Sequence, residues 1–308
     1  MADTPQRPRP SPAKFPLDSL LEQMLAEARE EYGDGLAEGR IETLATELWN
    51  WSQMVKGSAI RLRPGESNTL LLEATGADRP FLVDSLLGVC SEAGVEVRHM
   101  FHPIVDTEKQ GRRSLIQIHL PDLTEAEQKL LLEEAEATLA DVVAATSDYL
   151  AMRQKMLEAI ERVRTNRFVP DDYRTEGADF LTWLGNEHFV FLGARDYTFA
   201  TADDGSVLPR EPEMVDGSNL GLLRDEERNV LNRGAEPLLL TEEIGAFLSE
   251  PEPVILAKAT LSSRVHRRVP CDYIGVKHFD GHGRVIGETR FLGLYTSEAY
   301  NEPLRNIP

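Results

Sequence analysis

The sequence predicts an α+β protein in which a pair of helices precedes two domains, each built on an antiparallel sheet. Three observations predict this fold class. Apolar residues recur at helical spacing over residues 17–57, whereas short apolar runs and one helical stripe alternate over residues 58–147. Residues 176–308 contain several apolar or alternating segments separated by turn residues. A period near 3.6 indicates an amphipathic helix, and a period of two indicates a half-buried strand.

The composition indicates a folded protein and excludes several classes of partner. Hydrophobic residues make up 41% and charged residues 28% of the 308 residues, which is enough for a packed core. The formal net charge of −19 would repel phosphates, so we expect no nucleic-acid partner. Two distant cysteines, Cys90 and Cys271, predict no disulfide framework and indicate a reducing, cytoplasmic compartment. The sequence contains no run of 18 apolar residues, so no membrane partner is expected.

The first 57 residues predict a disordered tail followed by a helical hairpin. Residues 1–16 are rich in Pro and polar residues and lack the apolar stretch of a signal peptide. Residues 17–57 carry two helical stripes on either side of Gly33-Asp34-Gly35, a turn signal. The apolar face of this hairpin is expected to cover the next domain or a neighbouring subunit.

Residues 58–147 predict a β-α-β-β-α-β order. The segments, taken in order, are Asn68–Glu73, Phe81–Ala93 ending at Gly94, Val95–Asp106, Ser114–Leu120, a helix from Thr124 with a capping box to Glu127, and Leu139–Ala144. This is the order of the ferredoxin-like split unit. Its sheet carries both helices on one face, so the other face is expected to be free to pair or bind.

Residues 148–175 predict a connector helix, and residues 176–308 a second, mainly antiparallel α+β domain. The connector carries an apolar stripe that we interpret as core: Leu150, Met152, Met156, Ile160 and Val163. In the second domain we predict a helix at Ala178–Leu184 and strands at His188–Phe199 with a bulge at Gly193, Val254–Ala259, Tyr273–Phe279 and Arg284–Tyr295. Small-ligand sensors such as PAS domains are the nearest shape. The chain ends soon after the last strand, so we expect it to belong to a longer polypeptide.

A search for catalytic, cofactor and metal motifs finds none with the required spacing. The glycines at 33, 35 and 39 neither follow a strand nor have the spacing of a dinucleotide-binding loop. His99 and His102 are three residues apart in a β-rich segment, so they are expected to point to opposite faces and not to share a metal ion. No catalytic, cofactor-binding or metal-binding residue is therefore predicted in this chain.

The strongest basic cluster contains Arg264, His266 and Arg267. A solvated loop is one interpretation, and a site for an anionic group or an acidic protein surface is the other, because Arg pairs well with carboxylates. Asp272 and Glu288 are candidates for internal pairing with this cluster. A small enzyme site around Arg264, His266 and Asp272 is a third hypothesis.

The stretch Asp78-Arg79-Pro80-Phe81, with the apolar helix after it and Gly94 before the next strand, resembles the signature of ACT domains. The resemblance implies a regulatory module that often binds amino acids, and it makes Asp78, Arg79, Phe81 and Gly94 candidate effector-binding residues. A helix N-terminus attracts a carboxylate, which suits such a ligand. Phe81 stands where the family pattern has Gly, and its ring would fill the ligand's space.

Five further motifs resemble the N-terminal region of the large NAD-specific glutamate dehydrogenases: Phe180–Leu184, His188–Gly193, Val265–Arg267, Asp272–Val276 and Arg290–Ser297. The resemblance implies a regulatory and oligomerisation segment with ACT-like and PAS-like or ACT-like domains, no catalytic residue, and NAD as the cofactor of the parent enzyme. Its implied partners are the rest of the polypeptide, neighbouring subunits of a homo-oligomer and an amino-acid effector. The alternative is a stand-alone amino-acid-binding ACT-type sensor.

Overall fold

The computed structural model describes residues 16–32, 38–66, 68–208, 210–228, 230, 232–233, 236–237, 242–248 and 250–301. The chain divides into two compact units, residues 1–139 and 140–308. No helix in the described ranges is long and apolar enough to cross a membrane. The predicted tail, apart from Pro16, and the predicted turn at Gly33–Gly35 lie outside the described residues.

The first unit is a sheet with helices before, within and after it. Its elements are α1 (Pro16–Tyr32), α2 (Glu38–Met54), β1 (Ala59–Pro64), β2 (Thr69–Ala77), α3 (Leu82–Glu92), β3 (His99–Phe101), β4 (Ile104–Thr107), β5 (Gly111–Pro121) and the first part of α4 (Glu125–Ser147). The strand order is β1-β2-β5, and β3 and β4 both pair with the far side of β5. All these pairs are antiparallel.

The helices α1 and α2 cover one face of this sheet. Leu20 and Met24 of α1 and Leu48 of α2 share a buried cluster with Leu71 of β2 and Leu115 of β5. The predicted helices are thus confirmed, and their apolar face covers the sheet that follows them. The expectation that one face of the sheet would be free to pair or bind is wrong, because α1 and α2 occupy that face of the sheet.

The fourth strand predicted at Leu139–Ala144 is also wrong. Those residues continue α4, whose buried positions Leu131, Ala135, Leu139 and Val142 recur every three or four residues, as one face of a helix does. No Gly or Pro interrupts this stripe. The place beside β2 is taken instead by β1, which precedes β2 in the chain and pairs with it antiparallel. Strand β1 is not among the predicted strands, because Arg61 and Arg63 alternate with its apolar residues.

Polar side chains of α1 stabilise the outer strand of the sheet where it breaks between β3 and β4. The Gln23 amide donates to the Ile104 carbonyl at 2.8 Å, and the Ile104 N–H donates back to Gln23 Oε1 at 3.0 Å. The His102 N–H donates to Glu27 Oε2 at 2.9 Å. These bonds satisfy backbone groups that a broken edge strand would otherwise leave unpaired.

The second unit holds the rest of α4 and a six-stranded sheet. Its elements are α5 (Tyr149–Thr165), α6 (Asp171–Trp183), a π-helical turn (Leu184–His188), β6 (Phe189–Thr198), β7 (Glu213–Met214), β8 (Leu220–Gly221), a 3-10 turn (Leu222–Arg224), β9 (Asn232–Arg233), β10 (Glu236–Pro237), α7 (Glu242–Leu248), β11 (Val254–Ser262), β12 (Pro270–Phe279), β13 (Val285–Tyr295) and α8 (Ser297–Asn301). The strand order is β11-β12-β13-β6-β7, with β8 also pairing β6, and neighbours are antiparallel. Strands β9 and β10 pair only with each other in the described part.

The helices α5 and α6 pack with the sheet in the core of the second unit. Met152, Met156, Ile160 and Val163 of α5 are buried there, so the core interpretation of this stripe is confirmed for four of its five residues. Leu150 is the exception, because it lies exposed on the outer side of α5. Both units are thus mainly antiparallel α+β structures, as the sequence predicted.

Two local predictions in the second sheet are also confirmed. Leu292 lies opposite Gly193 while Gly293 lies opposite Phe191, so one extra residue on β6 forms the bulge predicted at Gly193. Strands β12 and β13 form the predicted hairpin, closed by a bond from the Asp280 N–H to the Arg284 carbonyl at 2.9 Å.

Candidate functional site

The loop that joins β2 to α3 holds three of the four candidate effector-binding residues. Phe81 precedes the helix with φ 69° and ψ 0°, the left-handed conformation. Its carbonyl accepts the first helical bond, from the Ser85 N–H at 3.0 Å. A non-glycine residue in this conformation costs about 1 kcal/mol. The position therefore favours Gly for a backbone reason, and Phe81 occupies it under strain.

The Asp78 carboxylate ties this loop to β5. Ser114 Oγ donates to Asp78 Oδ1 at 2.7 Å, and Arg112 Nε lies 3.1 Å from Asp78 Oδ2. His102 Nε2 lies 3.2 Å from Ser114 Oγ. The serine stands between the carboxylate and the histidine, whereas a nucleophilic triad needs the histidine in the middle. This chain of polar groups is therefore suited to holding the loop and not to activating Ser114.

The geometry around the start of α3 does not favour an incoming carboxylate. Asp78 lies in the loop, and Asp84 lies in the first turn of the helix. These two negative charges compete with a ligand carboxylate for the positive end of the helix dipole. Arg79 is half-buried beside them and is engaged with other groups of the chain.

Gly94 is not part of the same site, because it lies at the opposite end of α3. Its φ is 67°, and the Val95 N–H donates back to the Cys90 carbonyl at 2.9 Å, so Gly94 ends the helix as a left-handed cap. At about 1.5 Å per residue, the helix separates Gly94 from Phe81 by roughly 20 Å. The structure thus brings Asp78, Arg79 and Phe81 together and separates Gly94 from them.

The basic cluster lies in the connection from β11 to β12 in the second unit, and its arginines point to different partners. Arg264 Nη1 lies 3.5 Å from Asp141 Oδ2 on α4, and Arg267 Nη2 donates to the Tyr295 carbonyl at 2.5 Å. His266 adopts the left-handed conformation with φ 63° between them. Both arginines therefore hold the loop against other elements of the unit.

The carboxylates proposed as partners of this cluster are bonded elsewhere. Asp272 lies 2.5 Å from Lys258 Nζ and accepts from the Tyr295 N–H at 3.3 Å. Glu288 accepts from the Tyr273 hydroxyl and from Arg290 Nε, each at 2.5 Å. Asp272 consequently does not orient His266 as a general base, and the arrangement gives the enzyme hypothesis no geometric support.

The second sheet contains a buried polar cluster that was not predicted from the sequence, formed by Arg195, Tyr197, Tyr273, Glu288 and Arg290. The Arg290 guanidinium stacks 3.9 Å from the Tyr197 ring centre. Arg195, which is fully buried, donates to the Tyr197 hydroxyl at 3.1 Å and to three backbone carbonyls. Burial, and then the charge of Glu288, raises the pKa of Tyr273 well above its usual value. The cluster is bonded internally, so it stabilises the sheet. Charged residues at alternate positions of an apolar strand are the sequence feature from which this cluster could have been predicted.

A second missed cluster lies under α2 in the first unit. The Glu73 carboxylate is fully buried and receives Arg61 at 2.6 Å, Arg63 at 2.9 Å and the Gln117 amide at 2.7 Å. The Gln117 carbonyl oxygen lies 3.0 Å from His119 Nε2. Glu73 is thus compensated by two arginines, and the cluster links β1, β2 and β5.

The candidate histidines do not assemble a metal site. The His99 ring packs edge-on to His119 with 5.7 Å between ring centres, whereas His102 faces Ser114. Across the part of the chain that the structure describes, no three His, Cys, Asp or Glu side chains are grouped to hold a metal ion.

Comparison with known proteins finds a family that matches part of this chain. Residues 22–157 match the family described as the ACT1 domain of glutamate dehydrogenase. This span begins in α1 and ends in α5, so it includes the two helices in front of the sheet.

Two relatives extend the similarity to most of the chain. The NAD-specific glutamate dehydrogenase of Halomonas elongata is 29% identical over 89% of this chain and 19% of its own length. That of Pseudomonas aeruginosa is 29% identical over 79% of this chain and 16% of its own length. The chain thus spans less than a fifth of the length of these relatives. The resemblance that the sequence motifs indicated is confirmed.

Proposed function

We propose that this chain is an N-terminal regulatory and assembly segment of an NAD-specific glutamate dehydrogenase. The observation that carries the proposal is the pairing of an ACT1 match at residues 22–157 with similarity over 89% of the chain to an enzyme of which it spans only 19%. In the parent enzyme, L-glutamate, NAD and water would give 2-oxoglutarate, ammonia and NADH. The whole enzyme would then catalyse this reaction, form a homo-oligomer and lie in the cytoplasm.

We propose that NAD binds elsewhere in that enzyme, outside the described residues. Dinucleotides bind beyond the carboxyl ends of neighbouring parallel strands, next to a glycine-rich helix start. Neighbouring strands in both described sheets run antiparallel. No residue described here is therefore assigned to the cofactor.

The topology of the first unit supports an ACT-type, ferredoxin-like module. Strand β5 lies between β2 and β3, and α3 connects these two across it, as in a split β-α-β unit. For the second unit we propose a PAS-like sensor shape. This is supported by one antiparallel sheet with α5 and α6 packed on it.

We propose that the first unit contributes to assembly and not to amino-acid sensing. Phe81 occupies the turn in front of α3, and Asp78 is already bonded to Arg112 and Ser114. An amino-acid carboxylate would have to displace these contacts and approach two like charges, Asp78 and Asp84, which is unfavourable.

The first test is calorimetric titration of the folded chain with a panel of L-amino acids and with 2-oxoglutarate. The expected result is no binding. The Phe81→Gly variant serves as a comparison, because glycine removes both the aromatic ring and the backbone strain at this position. Saturable binding that Arg79→Ala abolishes would contradict the assembly proposal and favour a stand-alone amino-acid sensor.

The second test addresses the parent enzyme. We expect the purified chain to form no NADH from glutamate and NAD. We expect deletion of the homologous segment from the Pseudomonas aeruginosa enzyme to alter the oligomeric state that sedimentation measures. NADH formation by the chain alone would refute the proposal, as would an unchanged oligomeric state with unchanged regulation in the deletion variant.

A further inference from the structure

The second unit contains a groove between its outermost strand, β11, and helix α6. The groove has a volume of about 410 Å³. Its lining combines apolar and acidic side chains from α6, from β11 and from the residues just before β11: Tyr173, Glu176, Phe180, Glu252, Val254 and Leu256. At its base Gly177 lets α6 approach the strand, since a Cβ there would lie 3.0 Å from Pro253 Cγ and 3.3 Å from Val254 Cγ2.

The backbone of β11 is open towards this groove. Strand β11 ends the sheet order, and the Pro253 carbonyl accepts from the Lys277 N–H of β12 at 2.9 Å. Backbone groups of alternate residues point to the same edge of a strand, so those of Val254 and Leu256 point away from β12. No described residue bonds these two on that side, whereas further along the same edge the Thr260 N–H donates to the Val230 carbonyl at 3.1 Å, so the open part of the edge is its beginning. Unpaired edges of this kind accept an added strand.

Side chains along the same edge are exposed and apolar. Leu256 is 55% exposed, and the groove next to it contains Phe180 of α6. A groove flanked by an open strand and a helix can bind the backbone of an extended peptide through the strand and alternate side chains through its pockets.

The charge of the groove indicates which peptide would fit. Glu176 and Glu252 line it, and the Tyr173 hydroxyl is hydrogen-bonded to Glu252, whose charge raises the pKa of the phenol. Two lysines lie near the groove: Lys258 lies 2.5 Å from Asp272, and Lys277 of β12, which is buried and interacts with the charge of Glu252, donates to the Glu250 carbonyl at 2.8 Å. The groove thus presents negative charge beside an apolar surface.

We propose that this groove binds an extended peptide with basic side chains at alternate positions, which adds to β11 as a further strand. The backbone of the peptide bonds the outward N–H and C=O groups of Val254 and Leu256. Its basic side chains face Glu176 and Glu252. This interaction goes beyond the role in assembly and regulation proposed above and does not depend on it.

The test is fluorescence anisotropy of the whole chain with a labelled heptapeptide that has Arg at positions 1, 3, 5 and 7 and Val between them. We expect saturable binding that weakens as salt rises. We expect Glu176→Gln and Glu252→Gln each to weaken binding about twofold to fivefold, the effect of losing one exposed ion pair. Glu298→Gln, an exposed carboxylate on α8 outside the groove, is the matched control and should leave the affinity unchanged.

Two further measurements, with a proline variant and with an acidic peptide, distinguish strand addition from simple charge attraction. Leu256→Pro removes an outward N–H at an edge position where proline is tolerated, and should weaken binding about fivefold or more. A heptapeptide with Glu in place of Arg should not bind. Absence of binding to the Arg peptide, or equal loss in the Glu298→Gln control, would overturn the proposal. A dimer of the free chain that Leu256→Pro dissociates would also overturn it, because a second copy would then occupy the edge.

Discussion

Acidification should destabilise the first unit through one buried histidine, His119. Its ring is 6% exposed, and burial, then the nearby His99, Arg40 and Arg63, lowers its pKa from 6.5 to about 4. In the unfolded chain the ring takes up a proton below pH 6.5, whereas the folded protein resists it until about pH 4. The unfolded state therefore binds more protons between these values, and stability falls as pH falls through this window.

The magnitude follows from the two pKa values. A full shift of this size corresponds to about 3 kcal/mol, of which about 2.4 kcal/mol is lost between pH 7 and pH 4.5. Because carboxylates titrate in part of the same window, the informative quantity is the difference between the wild type and His119→Gln. Glutamine preserves a donor for Gln117 Oε1, which lies 3.0 Å from His119 Nε2, and it does not titrate.

The assay is urea unfolding followed by tryptophan fluorescence in a Trp183→Phe background. The two remaining tryptophans, Trp49 and Trp51, then both report on the first unit. We expect the wild type to lose about 2 kcal/mol more than His119→Gln between pH 7 and pH 4.5. Replacing His282, which is exposed, should leave the wild-type pH dependence unchanged. Equal pH dependence in the wild type and His119→Gln would refute the reasoning.

Three further substitutions test the packing of each unit. Leu86→Ala should destabilise the first unit by about 2–5 kcal/mol in urea unfolding, because this side chain is 1% exposed, and a loss below about 1 kcal/mol would mean that α3 is misplaced. Phe81→Gly should be more stable than Phe81→Ala by about 1 kcal/mol, since φ is 69°, and the reverse order would contradict the left-handed conformation. Tyr273→Phe should lower the thermal stability of the second unit by about 1–3 kcal/mol by leaving Glu288 short of a donor, and an unchanged melting temperature would exclude that bond.

Elements with an uninterrupted apolar period were predictable from the sequence. The stripes of α1, α2 and α5 and the β12–β13 hairpin lie where periodicity and turn residues placed them. The strand prediction for Leu139–Ala144 was wrong because a short run of apolar residues has no period of its own. Only the continuity of this run with the apolar stripe of α4 assigns it to a helix.

The candidate sites were less predictable, because their properties depend on contacts distant in sequence. The ACT-like motif located Asp78 and Phe81, but it could not show that Ser114 and Arg112, more than 30 residues away, would bond the Asp78 carboxylate. The left-handed backbone at Phe81 was also not visible, although the family's Gly at that position was a signal for it.

The same physical cause explains the missed strand and the missed clusters. Sequence patterns that alternate apolar and charged residues normally indicate a strand with one solvated face. In both units, however, strand positions that carry charged residues are buried as well, among them Glu73, Arg195 and Glu288. A buried charge is stable only when it is paired and hydrogen-bonded, which is why each of these residues has several partners. Charges committed in this way are not available to a ligand. This leaves the edge of β11 at Val254 and Leu256, whose outward backbone groups no described residue bonds, as the described surface of the second unit best suited to bind another molecule.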